Sequence, residues 1–503
     1  MRTMSGLDGA FLHIETEETP MHVGALYLLE RPADQRGSYF EAVKQRLAPR
    51  LAQSSFFKAR LAAMPLQFAN PVWIEDRAPN MAYHLRQVLL PKPGSMQQLQ
   101  DKVGELHSTL LDRNHPLWEV TVIDGLASGQ VALYFKVHHA ALDGASGIAL
   151  AKTLFDSDAN GSDTPAAEPA PSTPTRQGMF DLVSAAFKQT AEQYGKLARS
   201  LPDVVNVVSG MLKPDTAHAD HVKGKLGQNF AFGPKTPINV PITGQRSFAC
   251  TSLPLAQIKQ IGARHGAKLN DVVLAICSGA LRSYLQHKHK LPRKSLIATV
   301  PVSLREPGNT ATTTQATLTL VSLASHISDP QKRLHAICKA AGAAKSLTQN
   351  AKTVIPTDFP SLGVPWLLGG LASLYGYSKL ASVMPPIANV AISNVPGPQQ
   401  PLYVAGAKIS GYWPLSIVEH GLGLNITLVS YCDSLDFGLT AASNALPDVY
   451  LLAQMLNQSY EELLQLPTET PDTPAANTAS NDAGAKPAVK RKRRQTTTTP
   501  TST

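Results

Sequence analysis

A hydrophobic run that ends in two adjacent histidines constrains the fold of this chain more than any other feature. In a strand, the run QVALYFKVHH (residues 130–139) would place His139 on the apolar face and His138 on the opposite face. The next residues, AALDGASG, favour a tight turn and the start of a helix. The sequence therefore predicts a strand, a short loop and a helix, with a histidine presented at the end of the strand.

A histidine in this position is a candidate general base. Its reference pKa of about 6.5 lets it take a proton from a hydroxyl near neutral pH and return it to a leaving group. No Gly-x-Ser-x-Gly motif accompanies the pair, so such a mechanism would use the substrate's own hydroxyl as nucleophile. Two alternatives stay open at this point. Either the pair is structural, or it binds a metal together with Asp143. The side chains of adjacent strand residues point to opposite faces, which disfavours a shared metal site.

Composition divides the 503 residues into four parts. Residues 1–156 and 241–466 have the alternating strand and helix patterns of two α/β domains. Residues 157–240 begin with a Pro-rich linker and continue into connecting helices. Residues 467–503 are rich in Pro, Thr and Ala and end in a basic run, so we expect a disordered tail.

Periodicity predicts individual elements within these domains. The strands expected are Val23–Leu29, Trp118–Ile123, Val131–Val137, Leu296–Val302, Gln315–Leu323, Val390–Ser393, Leu424–Tyr431 and Leu435–Leu439. The helices expected are Tyr39–Leu51, Met96–Asp112, Phe180–Leu201 and one that starts near Asn270. A Gly-containing turn between the second and third strands predicts a hairpin.

The charge balance argues against nucleic-acid binding. The chain has 46 Lys and Arg against 37 Asp and Glu, a net charge of +9, but six of the basic residues lie in the last twenty. Without them the net charge is 9 − 6 = +3, and no folded element carries a basic face. The tail fits attraction to an acidic surface such as anionic lipid, or serves only to keep the chain soluble.

Cysteine usage and hydropathy favour a cytoplasmic protein. The four cysteines are widely spaced, which is typical of reduced thiols and not of a metal knuckle. The N-terminus lacks the pattern of a signal peptide. The longest apolar stretch, VPWLLGGLASLYGY, is shorter than the roughly 20 residues needed to span a bilayer. We therefore expect membrane contact, if it occurs, to be peripheral.

Several stretches together resemble one family. Residues 138–144, His-His-Ala-Ala-Leu-Asp-Gly, match the HHxxxDG motif of the CoA-dependent acyltransferase superfamily. Longer matches are LDGAFLHIETEETPMHVG (7–24), PLWE (116–119), NDVVLA (270–275), VPVSLR (300–305) and SNVPGP (393–398). Over about residues 4–466 the chain is similar to the bacterial wax ester synthase/diacylglycerol acyltransferase family.

The resemblance implies a fold and a reaction. The fold would be α/β, with two chloramphenicol-acetyltransferase-like domains of mixed sheets and flanking helices around a channel at their interface. The reaction would move a fatty acyl group from acyl-CoA to a long-chain alcohol or diacylglycerol, with His139 as general base beside His138. Acyl-CoA is then a substrate, and neither a cofactor nor a metal is expected.

The family motifs also imply supporting residues. Asp143 matches a structural aspartate, for which Arg305 is the expected partner, and Gly144 permits a close turn. The Asn270-Asp271 motif has two open interpretations: Asn270 donates a hydrogen bond near the site, or it caps the helix that follows.

Other residues of the matching segments have open roles. Glu15, Ser393 and Asn394 are candidates for the substrate channel, and Trp118 is either a channel or a core residue. Gly369 and Gly370 lie in an apolar stretch that would line a lipid tunnel, rest on a membrane or lipid inclusion, or form a buried helix pair. Two rival functions are a lipid-binding protein without catalysis and a condensation-type enzyme that forms amides.

Overall fold

The fold is organised around two large β-sheets. The computed structural model describes residues 2–4, 6–33, 35–62, 71–142, 150, 153–161, 232–303, 316–350 and 385–467. Its strands are β1 (Arg2–Thr3), β2 (His22–Glu30), β3 (Ala59–Ala62), β4 (Val72–Glu75), β5 (Leu85–Leu89), β6 (Trp118–Asp124), β7 (Val131–His138), β8 (Arg246–Pro254), β9 (Ile297–Ser303), β10 (Ala316–Ser322), β11 (Val390–Val395), β12 (Tyr403–Val404), β13 (Ala407–Leu415), β14 (Leu424–Tyr431) and β15 (Ser434–Ala442).

Eight helices accompany these strands in the described ranges. They are α1 (Gly6–Ile14), α2 (Tyr39–Gln53), α3 (Met81–His84), α4 (Met96–Ser108), α5 (Leu255–Arg264), α6 (Leu269–His287), α7 (Pro330–Asn350) and α8 (Val449–Leu464). Helix α4 begins with a capping box, in which Ser95 and Gln98 satisfy each other's backbone N–H groups.

Both large sheets are mixed. The first, here called the N-terminal sheet, has the order β12-β13-β2-β7-β6-β5, with β5 and β6 parallel and the other pairs antiparallel. The second, the C-terminal sheet, has the order β10-β9-β11-β14-β15-β8, with β11 parallel to both of its neighbours. Strands β1, β4 and β3 form a small separate sheet.

Each sheet buries its own core. In the C-terminal half, the run from Val272 to Leu281 in α6 is fully or almost fully buried under the sheet and against α7 and α8. In the N-terminal half, β7 is buried along its whole length because apolar clusters pack on both of its faces. A strand buried on both faces has a continuous apolar sequence, as residues 131–135 do.

The predicted elements agree with the structure within a few residues. Every predicted strand overlaps an observed one, and β6 and β7 form the expected antiparallel hairpin. The predicted helix over Met96–Asp112 ends earlier, at Ser108, because the buried Lys136 side chain binds the Leu106 and Thr109 carbonyl groups and fixes the turn there. The helix predicted over Phe180–Leu201 lies outside the described residues.

Strand β13 departs from what the local pattern indicates. In sequence it belongs to the predicted C-terminal domain, yet it pairs with β2 along most of its length and extends the N-terminal sheet. It also contacts the C-terminal sheet, since the Trp413 indole N–H donates to Ser252 Oγ at 3.0 Å and the Tyr412 N–H donates to Asp436 Oδ2 at 2.9 Å. One strand therefore ties both sheets together. The boundaries predicted at 156, 240 and 466 stay predictions.

A glycine in β15 makes this junction possible, and it provides a test. A methyl group on Gly438 would lie 1.7 Å from the Pro414 carbonyl oxygen of β13. We expect Gly438→Ala to lower the free energy of unfolding by about 1–3 kcal/mol or more, since overpacking at a backbone contact forces the strands apart. Urea denaturation followed by tryptophan fluorescence measures the change.

The matched control is Gly342→Ala in α7, where an added methyl group meets no atom within 4 Å. This variant should be as stable as the wild type or more stable by up to about 1 kcal/mol, because alanine favours a helix. Equal midpoints for Gly438→Ala and the wild type would show that β13 does not pack closely on β15.

Candidate active site

The histidine pair lies where β7 leaves its sheet. The strand ends at His138, and a 3-10 turn runs from His139 to Ala141. His138 is therefore paired with His22 of β2, whereas His139 stands outside the ladder. The predicted end of the strand is confirmed, and a 3-10 turn follows it, but residues 143–149, on which the predicted turn and helix start depend, lie outside the described residues.

The ring of His139 is covered by the first helix. It stacks on the Phe11 ring of α1, with centroids 4.0 Å apart and ring planes 25° apart. Its Nδ1 is buried and forms no hydrogen bond with another described residue. The backbone of His139 is held separately, because its N–H donates to the Met21 carbonyl oxygen at 2.9 Å.

The surroundings of His139 favour the neutral imidazole. Burial first, and the nearby His138 ring second, lower its pKa from 6.5 to about 4, against a smaller upward effect of its own backbone. At pH 7 the ring is therefore uncharged and keeps a lone pair on one nitrogen. That is the protonation state in which an imidazole can accept a proton from a hydroxyl.

Both ring nitrogens of His138 face protein groups. Its Nδ1 accepts the Ala140 N–H at 3.0 Å, and its Nε2 lies 3.2 Å from Oε1 of Glu15. The second contact is within hydrogen-bonding distance but poorly aligned, so it is mainly electrostatic. The side chain is 1% exposed. His138 is thus enclosed, whereas His139 is partly exposed.

Glu15 is a buried carboxylate with several donors around it. Its oxygens accept the Met21 N–H at 3.0 Å and an Arg113 N–H at 2.8 Å, and the side chain is 3% exposed. Burial raises the pKa of Glu15, but contacts with His138, Arg113 and the Met21 N–H outweigh it and lower the pKa to about 2. Glu15 is therefore ionised at neutral pH. The sequence indicates this residue only through a family-matching segment.

A buried lysine, Lys136, lies on the same face of β7 as His138. The Lys136 ammonium donates to the Leu106 and Thr109 carbonyl oxygens at 3.0 and 2.9 Å and pairs with Glu119 at 3.2 Å. A cation at the carboxyl end of α4 is favourable because the last carbonyl groups of a helix carry partial negative charge. Lys136 therefore anchors α4 to the strand that carries the site.

Sequence reasoning missed three residues of this arrangement. Phe11 and Arg113 contact the site from α1 and from the loop after α4, and neither stands out in composition or periodicity. Lys136 carries a weak signal, since it is a charge inside an otherwise apolar strand. Their roles follow only from three-dimensional contacts.

The loop that carries Glu15 is also tied to the C-terminal sheet. Arg246 of β8 donates to the Glu18 carbonyl oxygen at 2.7 Å, and its own N–H donates to Ser108 Oγ at 2.8 Å. A methyl group on Gly244 would lie 2.4 Å from the Glu17 carbonyl oxygen, so the two backbones approach closely there. The environment of the pair therefore depends on how the two sheets pack.

Trp118 is a core residue of the N-terminal half. It is 1% exposed, its indole N–H donates to the Phe57 carbonyl oxygen at 2.9 Å, and its ring stacks on His84 with centroids 4.1 Å apart. These contacts match the core alternative that the sequence leaves open.

The Asn270-Asp271 motif lies at the start of α6. Asp271 supplies the cap, since its Oδ2 accepts the Lys268 N–H at 3.0 Å. The capping role considered for Asn270 thus belongs to its neighbour, and Asn270 is a partly exposed residue of the first turn. Ser393 and Asn394 are partly buried on β11, in register with Thr427 and Leu428 of β14.

Five predicted residues lie outside the described residues. They are Asp143, Gly144, Arg305, Gly369 and Gly370. The pairing of Asp143 with Arg305 and the lipid tunnel at the two later glycines stay predictions.

Within the described ranges, no group of three or more His, Cys, Asp or Glu side chains is placed to hold a metal ion. No helix among these residues combines the length and the apolar character that crossing a membrane requires.

Comparison with known proteins identifies the family. The wax ester synthase/diacylglycerol acyltransferase catalytic domain matches residues 4–273, and the C-terminal domain of the same family matches residues 313–464. The chain belongs to this family. The resemblance found in the sequence, and the prediction of an O-acyltransferase, are thereby confirmed.

Relatives of this acyltransferase match along nearly all of their length. A Mycobacterium tuberculosis protein named as a diacylglycerol O-acyltransferase is 37% identical over 465 residues, which is 92% of this chain and 99% of that protein. The O-acyltransferase WSD of Acinetobacter baylyi is 32% identical over 475 residues, 93% of this chain and 97% of that protein.

Solved structures agree on the fold of the acyltransferase. The wax ester synthase/diacylglycerol acyltransferase of Marinobacter aquaeolei VT8 matches with a TM-score of 0.65 and 31% identity, over 92% of this chain and 98% of that one. The starter condensation domain of rhizomide synthetase matches with a TM-score of 0.52 at 12% identity, which shows a shared fold alone. The predicted α/β class with two chloramphenicol-acetyltransferase-like domains is confirmed.

The lowered pKa of His139 predicts a pH dependence of stability. The unfolded chain binds a proton at this histidine below about pH 6.5, whereas the folded acyltransferase does so only near pH 4. Between these values the unfolded state holds more protons, so stability falls as the pH falls. Relative to His139→Gln, the wild type should lose up to about 1.4 kcal/mol per pH unit in this window.

Urea denaturation of both proteins at intervals from pH 7.5 to pH 4.5 measures this difference. Subtracting the variant removes the contributions of the other histidines. A constant difference across the window would show that His139 titrates alike in the folded and unfolded states.

Proposed function

We propose that this acyltransferase moves a long-chain fatty acyl group from acyl-CoA to the hydroxyl of a fatty alcohol or of diacylglycerol, with His139 as general base. The names of its relatives support both acceptor classes: diacylglycerol for the mycobacterial protein and wax esters for the Marinobacter enzyme. The observation that carries the role of His139 is its setting. It is a neutral imidazole at the end of β7, stacked on an aromatic ring and partly exposed.

In this mechanism the acceptor hydroxyl attacks directly. The lone pair of the His139 imidazole takes the hydroxyl proton as the oxygen bonds to the thioester carbonyl carbon. The tetrahedral intermediate collapses with cleavage of the carbon–sulfur bond, and the imidazolium returns the proton to the departing CoA sulfur. The products are an ester and CoA, and the enzyme is back in its starting state without an acyl-enzyme intermediate.

The apolar surroundings of His139 suit such substrates. Phe11 covers one face of its ring, and the adjoining Ala140 packs into a cluster that contains Leu12, Leu111 and Leu117. Each methylene of a lipid chain that leaves water contributes about 0.8 kcal/mol, so an apolar site favours binding of long chains. We also propose that the enzyme works in the cytoplasm at a membrane or lipid-inclusion surface, where its acceptors are found.

The test is release of the CoA thiol from palmitoyl-CoA in the presence of hexadecanol or diolein. We expect His139→Ala to lower the rate by about 10²–10⁴-fold, the usual contribution of a general base. His287→Ala, which truncates an exposed histidine at the end of α6, is the matched control and should keep the wild-type rate.

Each outcome decides between the functions considered. Acceptor-dependent release that disappears in His139→Ala agrees with the proposal, and the two acceptors rank wax ester against triacylglycerol synthesis. Lipid binding without thiol release by the wild type would instead indicate a binding protein. Unchanged turnover in a folded His139→Ala variant would remove the general-base role.

A further inference from the structure

We infer that His138 is a positioning residue, and that it caps the turn carrying His139 in a tautomer that Glu15 and Arg113 select. This inference rests on the proposed role of His139 as general base. It assigns the two adjacent histidines to different tasks, where the sequence motif treats them as a catalytic pair.

Nδ1 of His138 is a hydrogen-bond acceptor. It accepts the Ala140 N–H at 3.0 Å, and both groups are buried. An acceptor must have its lone pair free, so Nδ1 carries no hydrogen. The bond links a side chain to the backbone N–H two residues later, which is the pattern by which Asn and Asp close Asx turns. His138 thus caps the start of the 3-10 turn in the way that Asn or Asp would.

Nε2 of the same ring carries its hydrogen. Because Nδ1 has none, the single N–H of the ring must be at Nε2, which faces Glu15 Oε1 at 3.2 Å. At this distance the carboxylate stabilises the N–H electrostatically even without good alignment, and it would repel a bare nitrogen lone pair. The side chain is 1% exposed, so neither nitrogen is available to a substrate hydroxyl. His138 therefore has no free lone pair with which to act as a base.

Glu15 contacts both residues that bind the backbone of the turn, Met21 and His138. It accepts the Met21 N–H at 3.0 Å, and the Met21 carbonyl oxygen accepts the His139 N–H at 2.9 Å. It also faces Nε2 of His138, whose Nδ1 accepts the Ala140 N–H. One carboxylate is thus connected to the His139 N–H through Met21 and to the Ala140 N–H through His138.

Arg113 completes the arrangement by fixing the carboxylate. One Nη2 atom donates to Glu15 Oε2 at 2.8 Å and to the Leu12 carbonyl oxygen at 2.7 Å. The guanidinium therefore joins Glu15 to the end of α1, the helix that supplies the Phe11 ring over His139. Stacking and backbone geometry at the base are set by the same group of contacts.

Two substitutions at position 138 separate capping from proton transfer. His138→Ala removes the cap, and we expect kcat to fall by about 10²-fold, the effect of a small misplacement of a catalytic group. His138→Asn keeps an oxygen that can accept the Ala140 N–H, so it should recover at least about tenfold of that loss. The KM for acyl-CoA should change little in both. Urea midpoints confirm that each variant is folded.

The outcomes are distinct. Equal and complete loss in folded His138→Ala and His138→Asn would overturn the inference, since a proton acceptor cannot be replaced by an amide. Wild-type kcat in His138→Ala would overturn it as well, because the cap would then be dispensable. Thiol release by the wild type is measured first, so failure of the proposed function is recognised separately.

A measurement on the wild type is independent of activity and of variant folding. Nitrogen-15 NMR of the acyltransferase labelled at histidine distinguishes protonated from bare ring nitrogens, and His138→Asn assigns the signals. We expect His138 with a bare Nδ1 and a protonated Nε2 at neutral pH. A proton on Nδ1, in either the other neutral tautomer or the imidazolium, would contradict the inference.

Discussion

The buried carboxylate of Glu15 is the interaction on which the geometry of the site depends. An ionised carboxylate whose side chain is 3% exposed is costly unless donors or opposite charge lie around it. Arg113 and the Met21 N–H donate to it, and the His138 ring faces it at 3.2 Å. These contacts fix three chain segments at one point: the end of α1, the loop before β2 and the end of β7. The turn at His139 begins where these segments meet.

The packing of the two sheets supports the same point from outside. Arg246 of β8 holds the Glu18 carbonyl oxygen, so the loop that bears Glu15 is shared between the two halves of the chain. Strand β13 adds a second tie, because it pairs with β2, which in turn pairs with β7. A shift of the C-terminal sheet would therefore act on the Glu15 loop and on β2, which both contact the turn at His139. The surroundings of this short turn thus include residues more than 200 positions apart in the chain.

The sequence predicts local features of this enzyme and misses those that depend on distant partners. The strand over residues 131–137 and a helix that starts near Asn270 follow from the apolar pattern, and the family follows from several motifs in order. The pairing of β13 with β2 does not, since an alternating strand of nine residues carries no mark of the sheet it joins. Likewise the sequence offers Asn270 as a cap of α6, whereas the backbone geometry places the carboxylate of Asp271 on the Lys268 N–H. Glu15 lies close to Glu17 and Glu18 in the sequence, and only its three-dimensional contacts distinguish it from them.

The low pKa of His139 also needs a physical explanation, because it would not improve the proposed general base. At pH 7 a histidine with a pKa of 6.5 is already about three-quarters neutral, so a value near 4 adds little competent enzyme and makes proton uptake harder. The shift follows instead from burial of the ring, which Phe11 covers, and from the nearby His138 ring. In the proposed mechanism the imidazole would carry charge only while the tetrahedral intermediate beside it is negative, so the two charges would stabilise each other. The burial that weakens the resting base would thus strengthen this mutual attraction.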